Sequence, residues 1–116
     1  MNRHLKLIVN NSYSNEKQKY FFERDELKTI LDLYAKMVSN GSWKDYSFSS
    51  GIKEVSFNVY QRASEKPVIR ISKNLKPKYL NERYFIKDRD GTILKKSENL
   101  NQLISKMSWN KLRIIK

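Results

Sequence analysis

The chain contains no cysteine and a single histidine, His4. Without cysteine there is no disulfide framework, no thiolate nucleophile and no Cys-ligated metal. That usage fits a reducing compartment, and a cytoplasmic protein is expected. His4 lies in an N-terminal segment with no ligand partner at usable spacing, so neither a histidine base nor a histidine metal site is expected. Glycine is nearly as scarce, three in 116 residues, too few for a Gly-rich phosphate loop. No apolar run approaches the roughly 20 residues of a membrane-spanning helix. Met1–Val9 carries charge and a short apolar stretch, but lacks the long apolar region and small-residue cleavage site of a secretory leader. Acids are sparse where a metal-dependent nuclease would need them clustered: from Val59 onward there are only Glu65, Glu82, Asp88, Asp90 and Glu98. Asp88 and Asp90 flank Gly91 and read as turn formers, because both tolerate turn geometry. No enzyme activity, cofactor or metal is expected.

What the chain has instead is positive charge, unevenly placed. Met1–Asn58 holds nine basic and seven acidic residues, a net of +2, whereas Val59–Lys116 holds fifteen and five, a net of +10. An A/T-rich coding sequence would scatter lysine along the whole chain and does not by itself produce this asymmetry. A folded surface with that much uncompensated charge attracts polyanions by focusing its field.

The apolar pattern divides the chain into elements. Leu5, Leu7 and Val9 suggest a short strand, followed by a polar, mobile loop through Lys17. Leu27, Ile30, Leu31, Tyr34 and Val38 recur at helical spacing. Glu23, Asp25 and Glu26 at the start favour the helix dipole, and Gly41 can take the left-handed C-terminal cap, so a helix is predicted over 24–39. A linker with Trp43, Tyr46 and Phe48 follows. Val55, Phe57 and Val59 alternate with polar residues, Ala63–Lys66 turns the chain, and Val68–Ile71 returns behind Pro67. A second hairpin runs from Tyr84–Lys87 through Asp90-Gly91 to Thr92–Lys95. Ser97 is placed to cap a second helix bearing Leu100, Leu103, Ile104 and Met107, and Leu112–Ile115 closes the chain as a strand. The two tryptophans, Trp43 and Trp109, follow helix ends and are expected to plug the core there. The architecture expected is α+β: an antiparallel β-meander of about four to six strands packed against two amphipathic helices. Residues 1–19 form an N-terminal strand and mobile loop, and residues 20–116 a single compact domain.

These residues resemble an uncharacterised family of small alphaproteobacterial proteins, a domain of unknown function. The likeness is carried by Leu27…Leu31-Asp32-Leu33-Tyr34…Met37-Val38, by Gly41-Ser42-Trp43-Lys44-Asp45-Tyr46, and by Phe57-Asn58-Val59 with Arg62-Ala63-Ser64-Glu65. Pro67…Arg70-Ile71, Ile93-Leu94-Lys95-Lys96 and Lys111-Leu112-Arg113 complete it, so that it covers most of residues 20–115. The resemblance implies one compact domain in a bacterial cytosol and no particular chemistry.

Strand geometry then places the charge. If Val55, Phe57 and Val59 face the core, Ser56, Asn58, Tyr60 and Arg62 project from the opposite side. On the return strand Ile69 and Ile71 face in while Arg70 and Ser72 face out. Pairing then gathers Tyr60, Arg62 and Arg70 in one patch, flanked by Lys73, Lys76, Lys78, Arg83, Lys87, Lys95 and Lys96. Arginine forks suit phosphate, and a tyrosine face can stack a base. The competing assignment is structural, with Tyr60 packed under a loop and Arg62 paired to Glu65 on the surface. The expectation is a non-catalytic nucleic-acid-binding domain, for DNA or RNA. The alternative is an interaction or regulatory module docking its basic face on an acidic protein partner. No membrane partner is expected.

Overall fold

A computed structural model of the chain describes residues 21–62, 66–107 and 109. The segments read from sequence as strands at Leu5–Val9 and Leu112–Ile115, the loop through Lys17, most of the Ala63–Lys66 turn and His4 lie outside the described residues.

The acidic first turn and apolar spacing produce helix α1, Arg24–Ser39. Its N-terminus is closed by Glu26, whose Oε1 accepts the Glu23 backbone N–H at 2.6 Å. Its C-terminus is closed by two reversed backbone bonds, Ser42 N–H to Met37 O at 2.9 Å and Gly41 N–H to Val38 O at 3.0 Å. That closure requires a left-handed residue, which Gly41 supplies with φ +85°. The buried stripe of α1 is Leu27, Ile30, Leu33 and Met37, rotated from the predicted one. Leu31 and Tyr34 are half-buried, and Val38 is exposed. The stripe follows 3.6-residue spacing from Leu27 through Leu33 and Met37, which leaves Val38 on the solvent side.

Five strands follow: β1 Asp45–Ser50, β2 Glu54–Tyr60, β3 Ile69–Asn74, β4 Tyr84–Asp88 and β5 Ile93–Ser97. They lie side by side in chain order, every neighbouring pair antiparallel. The segment read as a linker around Tyr46 and Phe48 is strand β1, with Phe48 opposite Phe57 and Tyr46 opposite Val59. Gly91, at φ +87°, makes the expected β4–β5 turn. There Asp88 Oδ1 accepts the backbone N–H groups of Asp90 and Thr92, both at 2.9 Å. Helix α2, Leu100–Ser105, is capped by Asn99, whose side chain accepts the Gln102 N–H. Ser97 is not the cap: it ends β5, and its hydroxyl accepts the Asn99 N–H at 3.1 Å.

The core lies between the helices and one face of the sheet. Val55, Phe57, Val59, Ile69, Ile71 and Ile86 from the strands meet Leu27, Ile30, Leu33, Leu100 and Leu103 from the helices. Tyr34, Tyr46, Phe48 and Phe57 extend it as an aromatic cluster, with Tyr46 stacked on Phe57 at 5.2 Å. Trp43 is buried, and Trp109 meets it edge-on at 5.6 Å while donating its Nε1–H to Ile104 O at 2.9 Å. Among the described residues the fold is α+β, a five-stranded antiparallel meander with two α-helices.

Candidate nucleic-acid interface

Alternation along β2 to β5 sends a second set of side chains to the face away from the helices. Register builds that face in rows across the sheet. One row runs Ser47, Asn58, Arg70, Lys87, and the next runs Ser49, Ser56, Ser72, Phe85, Lys96. Its centre is a floor of small polar groups. Ser56 and Ser72 share a hydrogen bond at 2.7 Å, and Asn58 Nδ2 donates to Ser47 Oγ at 3.2 Å and Ser49 Oγ at 3.3 Å. Ser56, Asn58, Ser72 and Phe85 are buried, and Asn58 Oδ1 has no hydrogen-bond partner.

The cations predicted to form one patch are distributed among several places. Arg70 is exposed and directly opposite Lys87, so these two adjoin as expected. Lys96 is exposed beside Phe85, and Lys87 Nζ lies 5.3 Å from the centre of the Phe85 ring. Tyr60 is half-buried, its hydroxyl 3.0 Å from Ser47 Oγ, which fixes the ring against the sheet rather than under a loop. Arg62 is exposed just past β2, and Glu65, its suggested partner, lies outside the described residues. Lys95 is exposed on β5 but stands opposite Ile86, one step of the pleat away from the Lys96 row. Lys76 and Lys78 are exposed in the loop between β3 and β4, at one end of the sheet. Arg83, half-buried at the end of that loop, lies over the Tyr84 ring at 5.7 Å and donates to its hydroxyl at 3.4 Å. That hydrogen bond raises the Arg83 pKa further above its usual value.

Lys73 requires a correction. It is 4% exposed and faces the helices, opposite Val55 and Tyr84. Its Nζ donates to Glu26 Oε1 at 3.0 Å and to Phe21 O at 3.3 Å. Glu26 Oε2 in turn accepts the Tyr84 hydroxyl. Lys73 therefore ties α1 to the sheet and is not available to a ligand on the second face. Period two already requires this: with Ile69 and Ile71 inward, position 73 is inward too.

Phe85 went unrecognised in the sequence, although the alternation of Tyr84-Phe85-Ile86-Lys87 places it beside Lys87. On the helix side, an open cleft of about 210 Å³ is bordered by Asp25, Glu26, Glu98, Asn99 and Asn101. Its acidic rim opposes polyanions and sets it apart from the basic face. Among the described residues no group of three His, Cys, Asp or Glu is placed to hold a metal ion. The Asp88 carboxylate is engaged in its own turn.

The model of a family described as "Protein of unknown function (DUF2794)" matches residues 20–104. No curated protein and no solved structure matches the chain.

Proposed function

The chain belongs to that family, and we propose that it is a non-catalytic nucleic-acid-binding domain that engages phosphates through the second face of its sheet. One observation carries this reading. Arg70 and Lys87 stand directly opposite each other on adjacent strands, flanked along the row by Asn58 and Ile93. Like charges in direct cross-strand register destabilise a sheet. No acid in that row relieves them, and a phosphate bridging the two would. Arg62 and Lys96 are exposed on the same half of the chain, and half-buried Tyr60 supplies aromatic surface at the margin. DNA and RNA present the same phosphate chemistry to this pair.

Binding to a generic oligonucleotide, followed by fluorescence anisotropy from low to moderate salt, tests the reading. A handful of phosphate contacts gives a log–log salt slope of roughly −3 to −6. Replacing Arg70 and Lys87 together with Ala is expected to reduce its magnitude by about 1 to 2. Lys36→Ala, on the exposed side of α1, should leave it unchanged. Absence of association with both single- and double-stranded oligonucleotides at low salt would overturn the reading. It would leave an acidic protein surface as the ligand for the same charges.

A further inference from the structure

Three of the large apolar side chains that the fold leaves exposed lie in connections at one end of the sheet. Ile52, at the tip of the β1–β2 hairpin, is 84% exposed; Tyr79 and Leu80, in the loop between β3 and β4, are 60% and 67% exposed. The two connections are joined by a hydrogen bond from Leu75 N–H to Lys53 O at 2.8 Å. Each is also closed at its own base, by Gly51 N–H to Glu54 O at 2.8 Å and Asn74 N–H to Arg83 O at 2.7 Å. The apolar tips are thus presented on braced loops. Around them stand the exposed lysines Lys53, Lys76 and Lys78, with Lys78 Nζ 5.8 Å from the centre of the Tyr79 ring. Of the acids in these connections, Glu54 is half-buried and Glu82 lies 3.9 Å from Lys96.

We propose that this end of the sheet docks on an anionic membrane surface, with Ile52 and Leu80 entering the acyl boundary, Tyr79 at headgroup level and the three lysines over the headgroup phosphates. The chemistry of the tip selects this partner over others. Aliphatic side chains find no complement in a phosphate backbone, which disfavours nucleic acid at this place. A specific protein interface needs about 800 Å² from each partner, and two convex loop tips do not form such a face. A bilayer interface accepts a few apolar side chains at a time, holds tyrosine at its polar margin and attracts nearby lysines. Spans and leaders are sought in sequence as long apolar runs. These residues are separated along the chain and come to the same end of the sheet only when β1–β2 and β3–β4 fold side by side.

Co-sedimentation of the full chain with phosphatidylglycerol-containing vesicles, against phosphatidylcholine alone, tests the proposal. Binding is expected to the anionic vesicles and not to the neutral ones. Ile52→Ser with Leu80→Ser should lower partitioning about tenfold or more, as each loses an apolar side chain that would be buried. Lys76→Ala and Lys78→Ala should each lower it about fivefold. These residues are exposed, so the thermal midpoint of each variant should stay near that of the parent. Arg70→Ala with Lys87→Ala should leave vesicle binding within about twofold, which separates this site from the sheet face. The proposal is overturned if anionic vesicles do not bind at low salt, or if the Ile52/Leu80 variant binds them undiminished, since general charge attraction then accounts for the binding. It is equally overturned if that variant loses oligonucleotide affinity to the same degree, because the tip would then belong to a nucleic-acid surface.

Discussion

A lysine buried as deeply as Lys73 needs its charge answered from close by, and three elements contribute. Glu26 from α1 supplies the carboxylate, Phe21 a carbonyl, and Tyr84 from β4 completes the other oxygen of Glu26. Removing one partner of a buried pair strands the other, so Lys73→Met should destabilise the domain by about 3–5 kcal/mol in a denaturant titration. Adding Glu26→Gln to that variant should recover part of the loss. Tyr84 belongs to the same hydrogen-bonded cluster. Burial first, and then its hydrogen bond to Glu26, push its pKa from 10.0 up to about 12. The folded chain therefore holds a proton that the unfolded chain releases near pH 10. The stability tied to that proton is full below pH 10 and is lost as pH rises toward 12. Tyr84→Phe should show a shallower alkaline fall in stability across that window than the parent. These roles were only partly legible in the sequence. Alternation alone puts Lys73 inward, but nothing local says that a residue 47 positions away answers its charge.

At the scale of elements, legibility followed the strength of the local signal. Helix α1 carries apolar periodicity, acids in its first turn and a glycine at its end, and its bounds match the predicted 24–39. The Gly41 closure can be tested directly. A Cβ at Gly41 would meet nothing within 4 Å, so Gly41→Ala isolates the backbone cost of a left-handed residue. That should amount to about 1 kcal/mol by thermal or chemical denaturation. Strand β1 was missed because half of Asp45-Tyr46-Ser47-Phe48-Ser49-Ser50 is serine, which weakens the β signal. It is held by cross-strand partners that only the fold brings near, Phe57 and Val59. The cap of α2 was misplaced by two residues for a related reason. Ser97 and Asn99 are both competent caps, and the extension of β5 to Ser97 leaves Asn99 as the first residue free to turn.

For the whole molecule, the uneven charge was evident in the sequence, but its distribution in space was not. Of the ten residues expected to form one patch, Arg70, Lys87 and Lys96 share neighbouring rows, Lys76 and Lys78 stand at the end of the sheet, and Lys73 is interior. A one-dimensional count cannot separate these, because each shift of one residue on a strand changes the face. The chain order of the strands also governs how the molecule assembles. Every ladder joins sequence neighbours, so the sheet can form hairpin by hairpin with short loop closures. Helix α1 reaches far, through Glu26 to Lys73 and, across 58 residues, to Tyr84. During synthesis this helix emerges before the five strands, and the groups that lock it to the sheet emerge well after it. Until β4 has left the ribosome, the apolar stripe of α1 lacks Tyr84 and Ile86, two of the groups that share its core.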